Sequence, residues 1–241
     1  MKTLQILALV ALCSIFVSCH TATDTTESAQ TEKVYNVAVI LDGTDRIQNS
    51  SAISQVSTAE LTDLAQKIAE NGTGSLFVSY VDRDCSNNHF ALFEMNQQKP
   101  RAPGKKKEYI MQSSYDKEVQ EYQMAEIEYQ KRLTDALEDF SHNCERVTKA
   151  AYSDQTASEK QGSDVFGAVN KALKAIAANG NAEFSHIILV SDCVHNAQTE
   201  KLAEIPQSVE VIAVNTSEGG SLEGLISKQL ITFSQVINYL F

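Results

Sequence analysis

The sequence predicts an α/β fold: a three-layer sandwich with a doubly wound, mostly parallel sheet and a long helical insertion in its middle. Three observations carry that expectation. Residues 34–41 (VYNVAVIL) and 185–190 (SHIILV) are β-branched, nearly continuous apolar runs, the pattern of strands buried on both faces. Segments between and after them repeat apolar residues every three or four positions, as amphipathic helices do. Each strand run ends in a cluster of Asp, Gly, Ser or Thr, so strands and helices alternate through turns as in βαβ units.

Taken in order, 34–41 is a central strand that ends at Asp42-Gly43-Thr44-Asp45. Residues 51–71 carry Ile53, Val56, Leu61, Leu64, Ala65 and Ile68 on one helical stripe, and Asn71-Gly72 stops it. Residues 75–81 (SLFVSYV) form a second strand and 89–95 a third. The pattern then breaks: 96–112 contain Pro100, Pro103 and Gly104 with Lys99, Arg101, Lys105, Lys106 and Lys107. This basic loop on an acidic chain is read either as solvated or as a contact for an anionic partner. A long helix is expected over 114–151, within an irregular middle of 96–155. Its second half places Leu133, Leu137, Phe140, Cys144, Val147 and Ala151 on one face. Its first half is less regular, with Tyr115, Val119, Tyr122 and Ile127; such a stripe usually packs on the sheet and needs no partner helix. After a polar linker at 153–161, a helix over 164–178 turns Val165, Val169, Leu173 and Ile176 inward. Strands at 185–190 and 209–214 follow. Gly219-Gly220 opens a loop, and 222–240 are expected to close the chain as one or two helices.

The amino terminus has a different character. Met1-Lys2 precedes an apolar run over 4–17, too short for a bilayer-spanning helix of roughly 20 residues, and small residues follow. That is the layout of an export signal. The ending Phe16-Val17-Ser18-Cys19 resembles a bacterial lipobox, with Phe16 where leucine is usual. The resemblance implies removal of residues 1–18 and acylation of Cys19. Residues 20–33 (HTATDTTESAQTEK) are polar and Thr-rich, as a flexible tether would be. Several acyl chains, each methylene contributing about 0.8 kcal/mol when buried, would hold such a protein on a membrane. The expected location is the cell envelope, on the periplasmic or surface side of the outer membrane. The domain itself is then 34–241.

The formal net charge is −11, and the signal carries only Lys2, so the mature chain would be one unit more acidic. Such a balance argues against nucleic acid and anionic membrane surfaces as general partners. No glycine-rich phosphate loop or dinucleotide fingerprint is present. Cys193 and His195 alone do not make a structural zinc set, and His142 and His186 are expected to be packing or surface residues.

Three polar clusters stand where ligands bind in such folds, at the carboxyl ends of parallel strands: Asp42-Gly43-Thr44-Asp45-Arg46, Gly162-Ser163-Asp164 and Ser191-Asp192. Their order resembles that of the von Willebrand factor A (vWA) domain, in which Asp-x-Ser-x-Ser, a Thr before a helix and a distal Asp form a metal-ion-dependent adhesion site. The chain is more narrowly similar to uncharacterised vWA-like envelope proteins with Asp-x-Thr-Asp after the first strand and Ser-Asp-x-x-x-Asn after a later one. Here these are Asp42-Gly43-Thr44-Asp45 and Ser191-Asp192-Cys193-Val194-His195-Asn196. The resemblance covers 34–241 and implies a vWA-like domain that binds an envelope protein rather than an enzyme. Position by position it implies Asp42, Thr44, Ser163 and Asp192 as ligands for Mg2+ or another divalent cation, with Asp45 and Arg46 modulating the site. Oxygen ligands of this kind suit a hard cation.

Arg46 departs from the family pattern, standing where Ser is expected. A guanidinium roughly 6 Å from a divalent ion would repel it by about 5 kcal/mol at an effective dielectric near 20. Arg46 would therefore either swing into solvent or replace the metal by pairing with Asp42 or Asp192. Without metal, the same clusters serve as helix caps, Ser163 capping the helix that begins at Asp164. A metal-dependent hydrolase at Asp42 and Asp192 is the alternative of another class, and a metal-free structural scaffold is a third. Leu41-Asp42-Gly43-Thr44 also resembles the Asp-x-Asp-Gly-Thr motif of haloacid-dehalogenase-type phosphatases, but the nucleophile position is Ile40, which cannot attack phosphorus. Of five cysteines, Cys13 would leave with the signal and Cys19 would carry lipid. Cys85 and Cys144 are the expected disulfide, because Cys193 adjoins Asp192.

Overall fold

A computed structural model of the chain describes residues 33–43, 55–85, 88–152, 162–180, 184–197, 201–214 and 220–241. The expected signal, the tether and Cys19 lie outside the described residues, as do Thr44, Asp45 and Arg46. Six strands form one sheet: β1 (Val34–Asp42), β2 (Thr73–Val81), β3 (Ala91–Met95), β4 (Phe184–Val190), β5 (Val209–Val214) and β6 (Lys228–Leu230). Their spatial order is β3-β2-β1-β4-β5-β6. All neighbours are parallel except β2 and β3, which form an antiparallel pair at one edge. The α/β sandwich with a mostly parallel sheet is therefore the architecture of the molecule.

Period-two alternation divides the core between the faces of the sheet. Val37, Val39 and Leu41 of β1 join Leu76, Val78, Ile188 and Ile212 on one face. There they meet α1 (Thr58–Asn71), α2 (Gln112–Tyr152) and α4 (Phe233–Leu240). Ala38 and Ile40 join Phe77, Ile187, Leu189 and Val211 on the other face, under α3 (Val165–Ala178). Burying one such aliphatic side chain contributes about 1.5–3 kcal/mol, so β1 and β4, lined on both sides, anchor the fold.

Local chemistry sets the helix boundaries. Ser57 starts α1 with a capping box, its hydroxyl accepting from the Glu60 amide while Glu60 reaches back to the Ser57 amide. Thr232 and Gln235 start α4 in the same way. At the amino edge of the sheet, Asn179 donates to Ser75 Oγ (2.7 Å), Ser75 to Asn36 (3.0 Å), and Asn36 to the Gly180 carbonyl (3.2 Å). That chain explains a buried Asn in an otherwise apolar strand, and it fastens the end of α3 to β1 and β2.

Three expectations are corrected. Residues 222–240 are not purely helical: a 3-10 turn (Gly220–Leu222) and edge strand β6 precede the short α4. The stripe on α2 packs only in its second half. Its buried residues run from Tyr129 to Ala151, whereas Tyr115, Val119 and Tyr122 are half-buried and Ile127 is exposed. The Cys85–Cys144 disulfide does not form. Cys144 lies in the core beneath α2 and Cys85 in the core beneath α3, on opposite faces of the sheet, and both are free thiols. Among the described residues no helix is long and apolar enough to cross a membrane. Residues 32–241 form one compact unit.

Candidate functional site

In a sheet of this order the strand connections diverge between β1 and β4, and the crevice outside their carboxyl ends is where doubly wound folds bind ligands. Asp42 ends β1 there and is fully buried. The next residue, Gly43, is glycine for a steric reason: a β-carbon there would overlap the Ala151 carbonyl at the end of α2. Beside it, Tyr152 accepts a 3.3 Å hydrogen bond from the Val56 amide, and burial pushes its phenol well above its ordinary value.

Ser191 meets Asp42. Its hydroxyl donates to Asp42 Oδ2 at 2.6 Å and accepts from the Cys193 amide at 2.9 Å. The register accounts for this pair: Leu41 and Val190 are partners in the β1–β4 ladder, so Asp42 and Ser191 are the next residues along. Asp192 has the opposite parity. Its Oδ1 instead accepts from the Val194 amide at 3.0 Å, closing a turn within its own loop. Cys193 takes a left-handed backbone conformation (φ 58°) between them. Its buried thiol is pushed up to about 12, first by desolvation and then by the charges of Asp192 and Asp42.

The second cluster docks onto the same loop. The Asn196 side chain accepts from the Ser163 amide, and the Asn196 amide donates to the Ser163 carbonyl at 3.2 Å. Asp164, not Ser163, caps α3: Asp164 Oδ1 accepts from the Gly167 amide at 2.9 Å. The Asp164 amide also donates to the Asp82 carbonyl past the end of β2 (2.8 Å), and Cys85 Sγ donates to the Asp164 carbonyl (3.2 Å). One loop after β4 thus joins all three strand-end clusters, through Ser191 to β1 and through Asn196 to the approach to α3.

His195 completes the face. Its ring stacks on Phe166 at 3.9 Å with 9° between planes, and Nδ1 accepts from the Phe166 amide at 3.4 Å. Its own amide donates to Ser221 Oγ at 2.8 Å. Ser191, Asn196 and the His195–Phe166 stack were not singled out as site residues in the sequence. Ser191 and Asn196 were, however, the outer positions of the Ser-Asp-x-x-x-Asn pattern.

The chemistry of this arrangement is that of a braced polar surface. The Ser191 hydroxyl is hydrogen-bonded to the Asp42 carboxylate, but both groups are fully buried, and the His195 ring is stacked on Phe166. The Cys85 and Cys144 thiols are pushed up to about 12 by burial, which suits inert core residues. Of the expected cation ligands, Thr44 lies outside the described residues, and Asp42 and Asp192 make the hydrogen bonds given above. Among the described residues no group of three or more His, Cys, Asp or Glu side chains is placed to hold a metal ion. A groove of about 670 Å³, lined by Leu173, Ile176, Ala177, Pro206 and Val209 among others, lies at the opposite, amino edge of the sheet.

Comparison with protein-family models and with curated proteins gives no match.

Proposed function

We propose that this chain is a membrane-anchored envelope lipoprotein whose vWA-like domain is a non-enzymatic binding module for a protein partner. The observation that carries the reading is the joining of three strand-end clusters by the Ser191–Asn196 loop at the crevice between β1 and β4. Of the residues the resemblance implies, Asp42 is held by Ser191 and Ser163 by Asn196, the outer positions of the Ser-Asp-x-x-x-Asn pattern, while Asp192 turns back on its own loop. Asp192, His195 and Asn196 are partly or fully exposed on top of the buried bracing, so a partner would meet a rigid polar rim. A hydrolase at Asp42 and Asp192 would need a general base beside an activated water, and the described contacts of both residues are structural. The anchor rests on Phe16-Val17-Ser18-Cys19 and the polar residues 20–33.

A crosslinking pull-down from native envelopes, using wild type and an Asp192→Ala/Asn196→Ala variant, tests the reading. A specific partner captured by wild type and lost from the folded variant supports it. Identical capture by both overturns it. Titration calorimetry with Mg2+ and Mn2+ decides whether the contact uses a cation. Heat at millimolar metal that disappears in Asp42→Asn places the ion at this site; no heat makes the contact metal-free.

A further inference from the structure

Helix α2 has 41 residues, so at 1.5 Å per residue it is about 62 Å long. Only the part from Tyr129 onward has buried side chains. Tyr129 lies level with the amino edge of the sheet: its hydroxyl donates to the Ala69 carbonyl near the end of α1 (2.8 Å), and Thr73 just beyond donates to the Lys33 carbonyl (3.0 Å). Residues 112–128 therefore extend past that edge by about 25 Å, with residues 96–111 leading to the tip. At the tip, a turn closed by the Ile110 amide on the Lys107 carbonyl (3.0 Å) enters the helix.

The tip combines two features. Lys105, Lys106 and Lys107 are all exposed, with Lys99 and Arg101 exposed in the strand of loop leading to them. Beside them stand Tyr109, 79% exposed, and Met111, 72% exposed. A basic cluster next to a protruding aromatic and an apolar side chain matches the polar–apolar boundary of an anionic bilayer, where lysines meet headgroups and Tyr sits at the interface. Glu108 is the one acidic residue among 105–111; those of α2 begin at Asp116 and lie behind the tip along the arm. The direction also fits. The chain enters β1 at Val34 on this same amino edge, while Asp42 and Ser191 lie at the opposite edge.

We propose that residues 105–111 form a foot that rests on an anionic membrane surface and holds the domain with its Asp42–Ser191 edge facing away. The proposal rests on the anchored-lipoprotein reading for its orientation, but the foot has its own readout. The test uses the full lipidated protein in vesicles of neutral phospholipid alone or with anionic phospholipid, carrying shallow nitroxide-labelled lipid. A fluorophore is placed on Tyr109→Cys or, at the far edge, on Asn196→Cys. The Tyr109 label is expected to be quenched in anionic vesicles, with relief in 0.5 M salt, and the Asn196 label is not. Replacing Lys105, Lys106 and Lys107 together by Gln should weaken docking of the tip roughly 100-fold, about fivefold per charge. Equal quenching at both labels, or quenching unchanged in the triple variant, overturns the foot. So does an unquenched tip that instead crosslinks through its lysines to an acidic envelope protein. Mass spectrometry of the Cys19 peptide judges the anchor separately. If Cys19 is unmodified, the anchor fails while the same quenching still decides the foot.

Discussion

The hydroxyl of Ser191 donates a 2.6 Å hydrogen bond to Asp42 across the junction of β1 and β4, and both residues are fully buried. Ser191→Ala removes a donor from a buried acidic side chain and an acceptor from the Cys193 amide. The expected loss is about 2 kcal/mol of stability, read as a lower urea midpoint with an unchanged slope. A variant as stable as wild type would contradict the bracing role.

Gly43 lies against the Ala151 carbonyl at the end of α2. Gly43→Ala should cost about 3 kcal/mol, because backbone rather than a flexible side chain occupies the space. The thermal midpoint of the variant checks it. A shift no larger than that of an exposed Gly104→Ala control would show that the contact is not tight.

The free thiols of Cys85, Cys144 and Cys193 are buried. All three are expected to resist iodoacetamide at pH 8 in the folded protein and to react on denaturation. Peptide mapping without reductant reads the outcome. A linked Cys85–Cys144 peptide would contradict the placement of these residues on opposite faces.

His186 faces Glu210 across the β4–β5 ladder, with Nδ1 3.1 Å from Oε2. Burial pulls the imidazole below its ordinary value of 6.5, outweighing the opposing pull of the Glu210 carboxylate. The unfolded chain then binds the proton more readily than the folded one. The contribution of His186 to stability is full above about pH 6.5 and is lost as pH falls below it toward the folded-state value. Thermal midpoints between pH 7.5 and 5.5 should decline more steeply for wild type than for His186→Gln. Equal slopes would refute the assignment.

Much of this structure was legible because burial on both faces leaves a strong sequence trace. The runs at β1 and β4 have almost no polar interruption, and the helical stripes of α1 and α3 fall where the structure buries Leu61, Leu64, Val165 and Val169. β6 left no trace, since Lys228–Leu230 is a three-residue edge strand with no apolar alternation. The first half of α2 was harder for a related reason: Tyr115, Val119 and Tyr122 recur only irregularly, and periodicity does not reveal that the sheet ends below Tyr129. The cysteine pairing failed because setting Cys193 aside for its place beside Asp192 says nothing of the sheet faces on which Cys85 and Cys144 lie. At the site, the three clusters were legible, but the hydrogen bond between Asp42 and Ser191 was not. Aligning the ends of the two apolar runs, Leu41 with Val190, would have placed Ser191 rather than Asp192 beside Asp42.

On the reading proposed above, the rim over the Asp42–Ser191 pair meets a protein partner. Site-specific photocrosslinking in native envelopes tests it most directly, with the probe at Asn196 and, as a control, at Lys174 on the far edge. A discrete adduct is expected from Asn196 and is lost when Ser191→Ala is added, and none is expected from Lys174. No adduct at Asn196, or the same adduct from both positions, would contradict it.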